Sequence, residues 1–134
     1  MSLHAVLALL YEGAAANSAT ANELGNVLGP IRRRQILREI YTSLMADFSD
    51  NKAVSFNNDI FLQLRFTAQK EYAKTINKYY QAGFSYFNVS NPAETIASIN
   101  KIISDNTNGN IDKMVTSVED VDMYVTLRTV KIFK

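Results

Sequence analysis

Apolar positions recur at helical spacing along much of the chain and give way in a few places to short, dense apolar runs. Leu3, Val6, Leu7 and Leu10 define a first helical face, with Leu9 broadening it and Gly13 ending it. After a small-residue linker (15–19), Thr20 and Glu23 have the hydroxyl-to-carboxylate spacing of a capping box. Leu24, Val27 and Leu28 follow on a short helix that Gly29-Pro30 breaks. Ile36, Leu37, Ile40, Leu44 and Met45 predict a further amphipathic helix that ends before Ser49. The run Val54–Gln63, rich in β-branched and aromatic residues, predicts a mostly buried strand. Thr67 then offers a cap for a helix carrying Phe66, Tyr72, Ile76, Tyr79 and Tyr80, with Gly83 as its stop. A second strand is expected over 84–89. Asn91-Pro92 opens another helix, since a proline in the first turn gives up no hydrogen bond. Ile96, Ile99, Ile102 and Ile103 share its inner face, and Asn108-Gly109 closes it. Residues 114–122 read as a polar, acidic loop, and 124–133 as a last strand. The pattern is that of an α+β protein.

Composition narrows the partners rather than the fold. The 134 residues are 47% hydrophobic and 20% charged, with a net charge of +1, which suits at most one ordinary globular domain. A near-neutral chain exerts no global pull on nucleic acid or on an anionic membrane. No apolar run reaches the length of a membrane span. The apolar start of the chain lacks a basic leader and reads as a helix, not as a signal peptide. Cysteine is absent, which removes disulfides and thiol chemistry from consideration.

Candidate chemistry is sparse. His4 is the only histidine, and no carboxylate stands near it before Glu12, so a structural role is favoured over that of a catalytic base. Glu119, Asp120 and Asp122 lack the glycine and spacing of a calcium loop and read as a solvated acidic segment. Arg32, Arg33 and Arg34, with Arg38 one turn on, form the densest basic run, a candidate site for an anionic polymer against the simpler reading of a solvated helix start. Asn88-Val89-Ser90 is a sequon, which makes Asn88 a candidate glycosylation site if the chain is secreted. The aromatic residues from Phe66 to Phe87 could stack bases, but their helical spacing without interleaved arginine favours core packing. No phosphate loop, zinc spacing or nucleophile elbow occurs, and no cofactor is expected.

Several ordered stretches resemble the N-terminal part of the serpin family of serine protease inhibitors. Val54-Ser55-Phe56-Asn57-Asn58-Asp59-Ile60-Phe61-Leu62-Gln63 looks like that family's second central-sheet strand. Lys78-Tyr79-Tyr80-Gln81-Ala82 and Asn88-Val89-Ser90-Asn91-Pro92 resemble the end of one family helix and the lead into the next. Ile99-Asn100 and Thr107-Asn108-Gly109-Asn110-Ile111 resemble that next helix and its exit. Gly13-Ala14 and Thr20-Ala21-Asn22-Glu23-Leu24 resemble an earlier turn into a helix. The resemblance covers most of the chain. It implies a partial serpin domain over 1–134: N-terminal helices plus about three strands of the central sheet, with a helix packed across it. The first helix, the later sheets and the reactive loop are expected to lie outside it. The family acts on serine proteases, some members bind glycosaminoglycans, and an extracellular setting is implied. Inhibition by loop insertion is not expected of these residues alone. The alternative is a non-inhibitory module that binds a protein or an anionic polysaccharide through the 32–38 helix. Open sheet edges are expected to favour self-association. The chain departs from the family pattern at Arg128, Thr129 and Lys131 in the last strand and at Ile102.

Overall fold

The computed structural model describes residues 2–29, 33–51, 53–88, 90–117 and 125–133, the last span as backbone. The described elements are α1 (Ser2–Gly13), α2 (Ala19–Leu28), α3 (Arg34–Asp50), β1 (Val54–Gln63), α4 (Lys70–Tyr80), β2 (Ala82–Phe87), α5 (Pro92–Asn106) and β3 (Val125–Phe133). The strands form one sheet in the order β2-β1-β3. β2 runs parallel to β1, with Ile60 beside Phe84. β3 runs antiparallel to β1, with Ile60 beside Leu127.

β1 is covered on both faces. Ile60 belongs to a core built with α1 to α4, while its neighbour Phe61 belongs to a second core with α5. A strand covered on both faces needs no polar side, and the successive residues Ile60, Phe61 and Leu62 are all apolar and buried. The first core holds Leu9, Leu37, Tyr41, Met45, Ile76 and Tyr80. The second is smaller: Phe61, Phe87, Ile99, Ile103 and Val115. Asn58, 2% exposed, donates to the carbonyl of Tyr80 and ties the end of α4 to the sheet.

Several local expectations shift. The buried side of α1 is Ala5, Ala8 and Leu9, whereas Leu3 is 70% and Leu10 38% exposed. Small residues face inward because α1 lies close to its neighbours, and the larger leucines point away. Ser18, not Thr20, caps α2. Its backbone is extended and its hydroxyl accepts from the Ala21 amide at 3.1 Å. α3 runs on through Ser49 to Asp50, and its buried face centres on Leu37, Tyr41 and Met45, with Ile36 left exposed.

α4 begins later than Thr67, at Lys70, and Gln69 at its cap position makes no side-chain capping bond. Phe66 lies in the turn before it. The stop is Gln81, in the left-handed conformation at φ 47°, and not Gly83. Gly83 serves β2 instead: a Cβ there would stand 2.5 Å from Asp59 Oδ1. β2 therefore starts at Ala82 and closes at Phe87, and Val89 lies outside the described residues.

At the start of α5, Asn91 occupies the cap position but turns its amide to Glu94 at 2.7 Å. Thr95 anchors this turn by donating to the carbonyl of Asn88. The end of α5 follows expectation. Asn108 and Gly109 take positive φ, the Gly109 amide reaches Ser104 O at 2.8 Å, and the Asn108 amide reaches Asp105 O at 3.3 Å. This is a Schellman closure, which satisfies carbonyls the helix end would leave bare. The acidic segment with Glu119, Asp120 and Asp122, and Tyr124 beyond it, lie outside the described residues.

Candidate functional site: the sheet, its covering helix and the basic helix start

Glu12 ends α1 inside the protein, 8% exposed. Arg38 on α3 donates to both its oxygens, Nε to Oε1 at 3.0 Å and Nη2 to Oε2 at 2.9 Å. Tyr80 on α4 donates its hydroxyl to Oε1 at 3.0 Å. The Arg38 guanidinium also lies 5.3 Å from the centre of the Tyr79 ring. The Glu12 hydrogen bond is the main cause of the raised Arg38 pKa. Tyr80 packs against Tyr41 at 4.8 Å, and the Tyr41 hydroxyl is 2.8 Å from His4 Nδ1. Tyr72 donates to the Leu9 carbonyl. Burial pushes Tyr41 and Tyr72 up to about 12, and it is the first cause of the still higher value of Tyr80, ahead of Glu12. These phenols stay neutral at physiological pH. The cluster holds α1, α3 and α4 together, and His4 meets a phenol in it rather than a carboxylate.

The basic run is divided. Arg34 donates to the carbonyl of Ala14 and covers the Tyr11 ring, with 5.0 Å to its centroid. Arg38 is engaged by Glu12. Arg33 stands exposed at the cap position of α3, and Arg32 lies outside the described residues. Two of the four arginines thus have internal partners. Asn88 is exposed just after β2, with its Oδ1 accepting from the Ser90 amide at 2.9 Å. Most of the aromatic cluster packs inward, although Tyr86 is 47% and Phe66 37% exposed. No trio of metal-ligating side chains gathers among the described residues.

The opposite face of the sheet carries α5. Ile99 and Ile103 meet Phe61, Phe87 and Val115. Asn100 stitches the returning chain to the helix: its Oδ1 accepts from the Met114 and Val115 amides at 2.9 Å each, and its Nδ2 donates to Val115 O at 2.8 Å. An asparagine side chain here imitates a strand neighbour. At the helix end, Asn106 bonds Asp59 and Asn57 on β1. Sequence reasoning missed Glu12, Asp59 and Asn106. A carboxylate inside an apolar helix and another inside an apolar strand were the available signals, because a buried charge needs a partner.

Comparison with known proteins gives this architecture its family. A family model described as serpin (serine protease inhibitor) matches residues 1–133. Serine protease inhibitor 2 of Anopheles gambiae is 28% identical, over 99% of this chain and 34% of its own length. The mouse protein-Z dependent protease inhibitor superposes with a TM-score of 0.85 at 20% identity, covering 100% of this chain and 38% of that one. Manduca sexta serpin-12 gives 0.84 at 22% identity, over 98% and 38%. The chain belongs to the serpin family. It spans about a third of the length of the relatives it matches, 34% of the curated one.

Proposed function

We propose that these residues form the part of a serpin-type serine protease inhibitor that receives the inserting strand, and that they do not inhibit by themselves. In the family mechanism a protease cuts an exposed reactive loop, which then enters the central sheet beside the third strand and traps the enzyme. The observation that carries the reading is β3, an edge strand with β1 as its one described neighbour in the sheet. An edge of this kind presents unpaired backbone groups ready to accept another strand. The 134 residues correspond to 34% of the curated relative, and the reading places the reactive loop outside that third. Their role is then to accept the loop, not to bait the protease, and no catalytic part is assigned to them. The target protease is set by the loop, and an extracellular setting belongs to the same reading.

Titration of a panel of serine proteases with this chain tests it. The expected outcome is proteolysis without a covalent, heat-stable complex. Such a complex would overturn the reading. Glycosidase-sensitive mobility of the chain after secretion from a eukaryotic host would support both the extracellular setting and Asn88 as the acceptor.

A second reading has the start of α3 bind an anionic polysaccharide. The exposure of Arg33 supports it. The internal commitments of Arg34 and Arg38 weaken it, which places it behind the first.

A further inference from the structure

α5 meets the sheet through two chemically different contacts. Along its middle, Ile99 and Ile103 sit on Phe61 and Phe87. At its last residue the contact is polar. The Asn106 amide donates from Nδ2 to both Asp59 oxygens, at 3.1 Å each. Its own carbonyl accepts from Asn57 Nδ2 at 2.8 Å. Asn57 and Asp59 are two apart on β1 and so project to the same face. One strand therefore grips both ends of a single helix residue.

Two further features fit this grip. Gly83 stands directly opposite Asp59 in the β1–β2 register. A Cβ at that glycine would lie 2.5 Å from Asp59 Oδ1, so its missing side chain makes room for the carboxylate. Beyond Asn106, the Schellman bonds of Asn108 and Gly109 close the last turn on itself. Letting go of Asn106 would then hand water a few polar groups and leave that turn formed. Lifting the middle of α5 would expose Ile99, Ile103 and Phe61, which is far more costly.

We propose that Asn57, Asp59 and Asn106 form a latch that holds the C-terminal end of α5 on the sheet and lets that end lift independently of the apolar middle. The proposal is separate from the inhibitory reading and stands without it. Burial raises the proton affinity of the Asp59 carboxyl, and the Asn106 bond opposes that rise.

Amide-exchange protection factors, measured on the full chain, test this. In Asn106→Ala, amides of 104–109 should lose about tenfold protection while those of 99–103 keep theirs. Asn57→Ala, which removes the other half of the grip, should reproduce the pattern. Asp59→Asn, which keeps one acceptor oxygen for the Asn106 amide, should lose less protection over 104–109 than Asn106→Ala. Equal loss at both ends of α5 in the alanine variants would overturn the latch.

Discussion

Arg38 on α3 closes a two-pronged hydrogen bond on Glu12, 26 residues earlier on α1, at 3.0 and 2.9 Å. The geometry is the planar fork that arginine offers a carboxylate and that lysine cannot match. The Glu12 side chain is 1% exposed and that of Arg38 27%. Cutting the pair from the arginine side is therefore the damaging choice, because it strands a buried carboxylate. Arg38→Ala should cost about 2–3 kcal/mol, below the range for a fully buried pair. Glu12→Leu combined with Arg38→Met should recover part of that loss, since no charge remains inside. Chemical denaturation of the single and double variants measures it. An Arg38→Ala variant as stable as the parent would show that the pair contributes nothing.

The same cluster sets the alkaline limit of the fold. Tyr41 and Tyr72 titrate at about 12 in the folded chain, against an ordinary value of 10.0, because burial disfavours the phenolate. The folded state thus holds these protons more tightly than the unfolded state. Their contribution is fully present below about pH 10 and is lost as pH rises towards 12. Stability should fall steeply across that window. Near-ultraviolet absorbance should show a late group of phenols, Tyr41 and Tyr72 among them, that ionises only with unfolding. Tyr41→Phe should reduce the steepness, although it also removes the hydrogen bond to His4.

Sequence pattern located the elements well and their edges less well, for reasons that differ from place to place. Helices and strands were legible because Ile99 and Ile103, or the run through Ile60 and Phe61, are spaced for burial on known faces. The inward face of α1 was misjudged because alanine carries little hydropathy signal, yet Ala5 and Ala8 are fully buried where helices approach closely. Gly83 looked like a helix stop. Its true cause is the Asp59 side chain lying over it, a long-range fact with no local trace. Gln81 took the left-handed position instead, which its residue type does not advertise. The arginine run was legible as charge only. The commitment of Arg38 to Glu12 depends on how α1 and α3 pack, which single-sequence periodicity does not report.

Arg33 is the arginine of the run whose behaviour best tests the polyanion reading. It is exposed at the start of α3, where a positive side chain also faces the positive end of the helix dipole. If the helix start binds a sulfated polysaccharide, Arg33→Ala should lower the salt concentration at which the chain elutes from a heparin column, with thermal stability undiminished. Arg34→Ala should act mainly through stability, since it frees the Ala14 carbonyl and uncovers Tyr11. Elution at low salt for the parent chain, unmoved by Arg33→Ala, would reject polysaccharide binding at this helix.

Asn100 gives the sharpest separation between a structural and a decorative polar residue. Its side chain makes three bonds to the returning segment, accepting from two amides and donating to one carbonyl. Val115, the residue so held, is 1% exposed and fills the second core beside Phe61. Asn100→Ala leaves two amides and a carbonyl near a buried valine without partners, so the loss should be about 2–3 kcal/mol. Asn100→Asp keeps the acceptor for both amides but not the donor to Val115 O, and its cost should be smaller. Exchange at Met114 and Val115 should rise in both variants, more in alanine, while β1 amides stay protected. If Asn100→Ala leaves exchange at Val115 unchanged, the segment is held by apolar burial alone and the amide bonds are incidental.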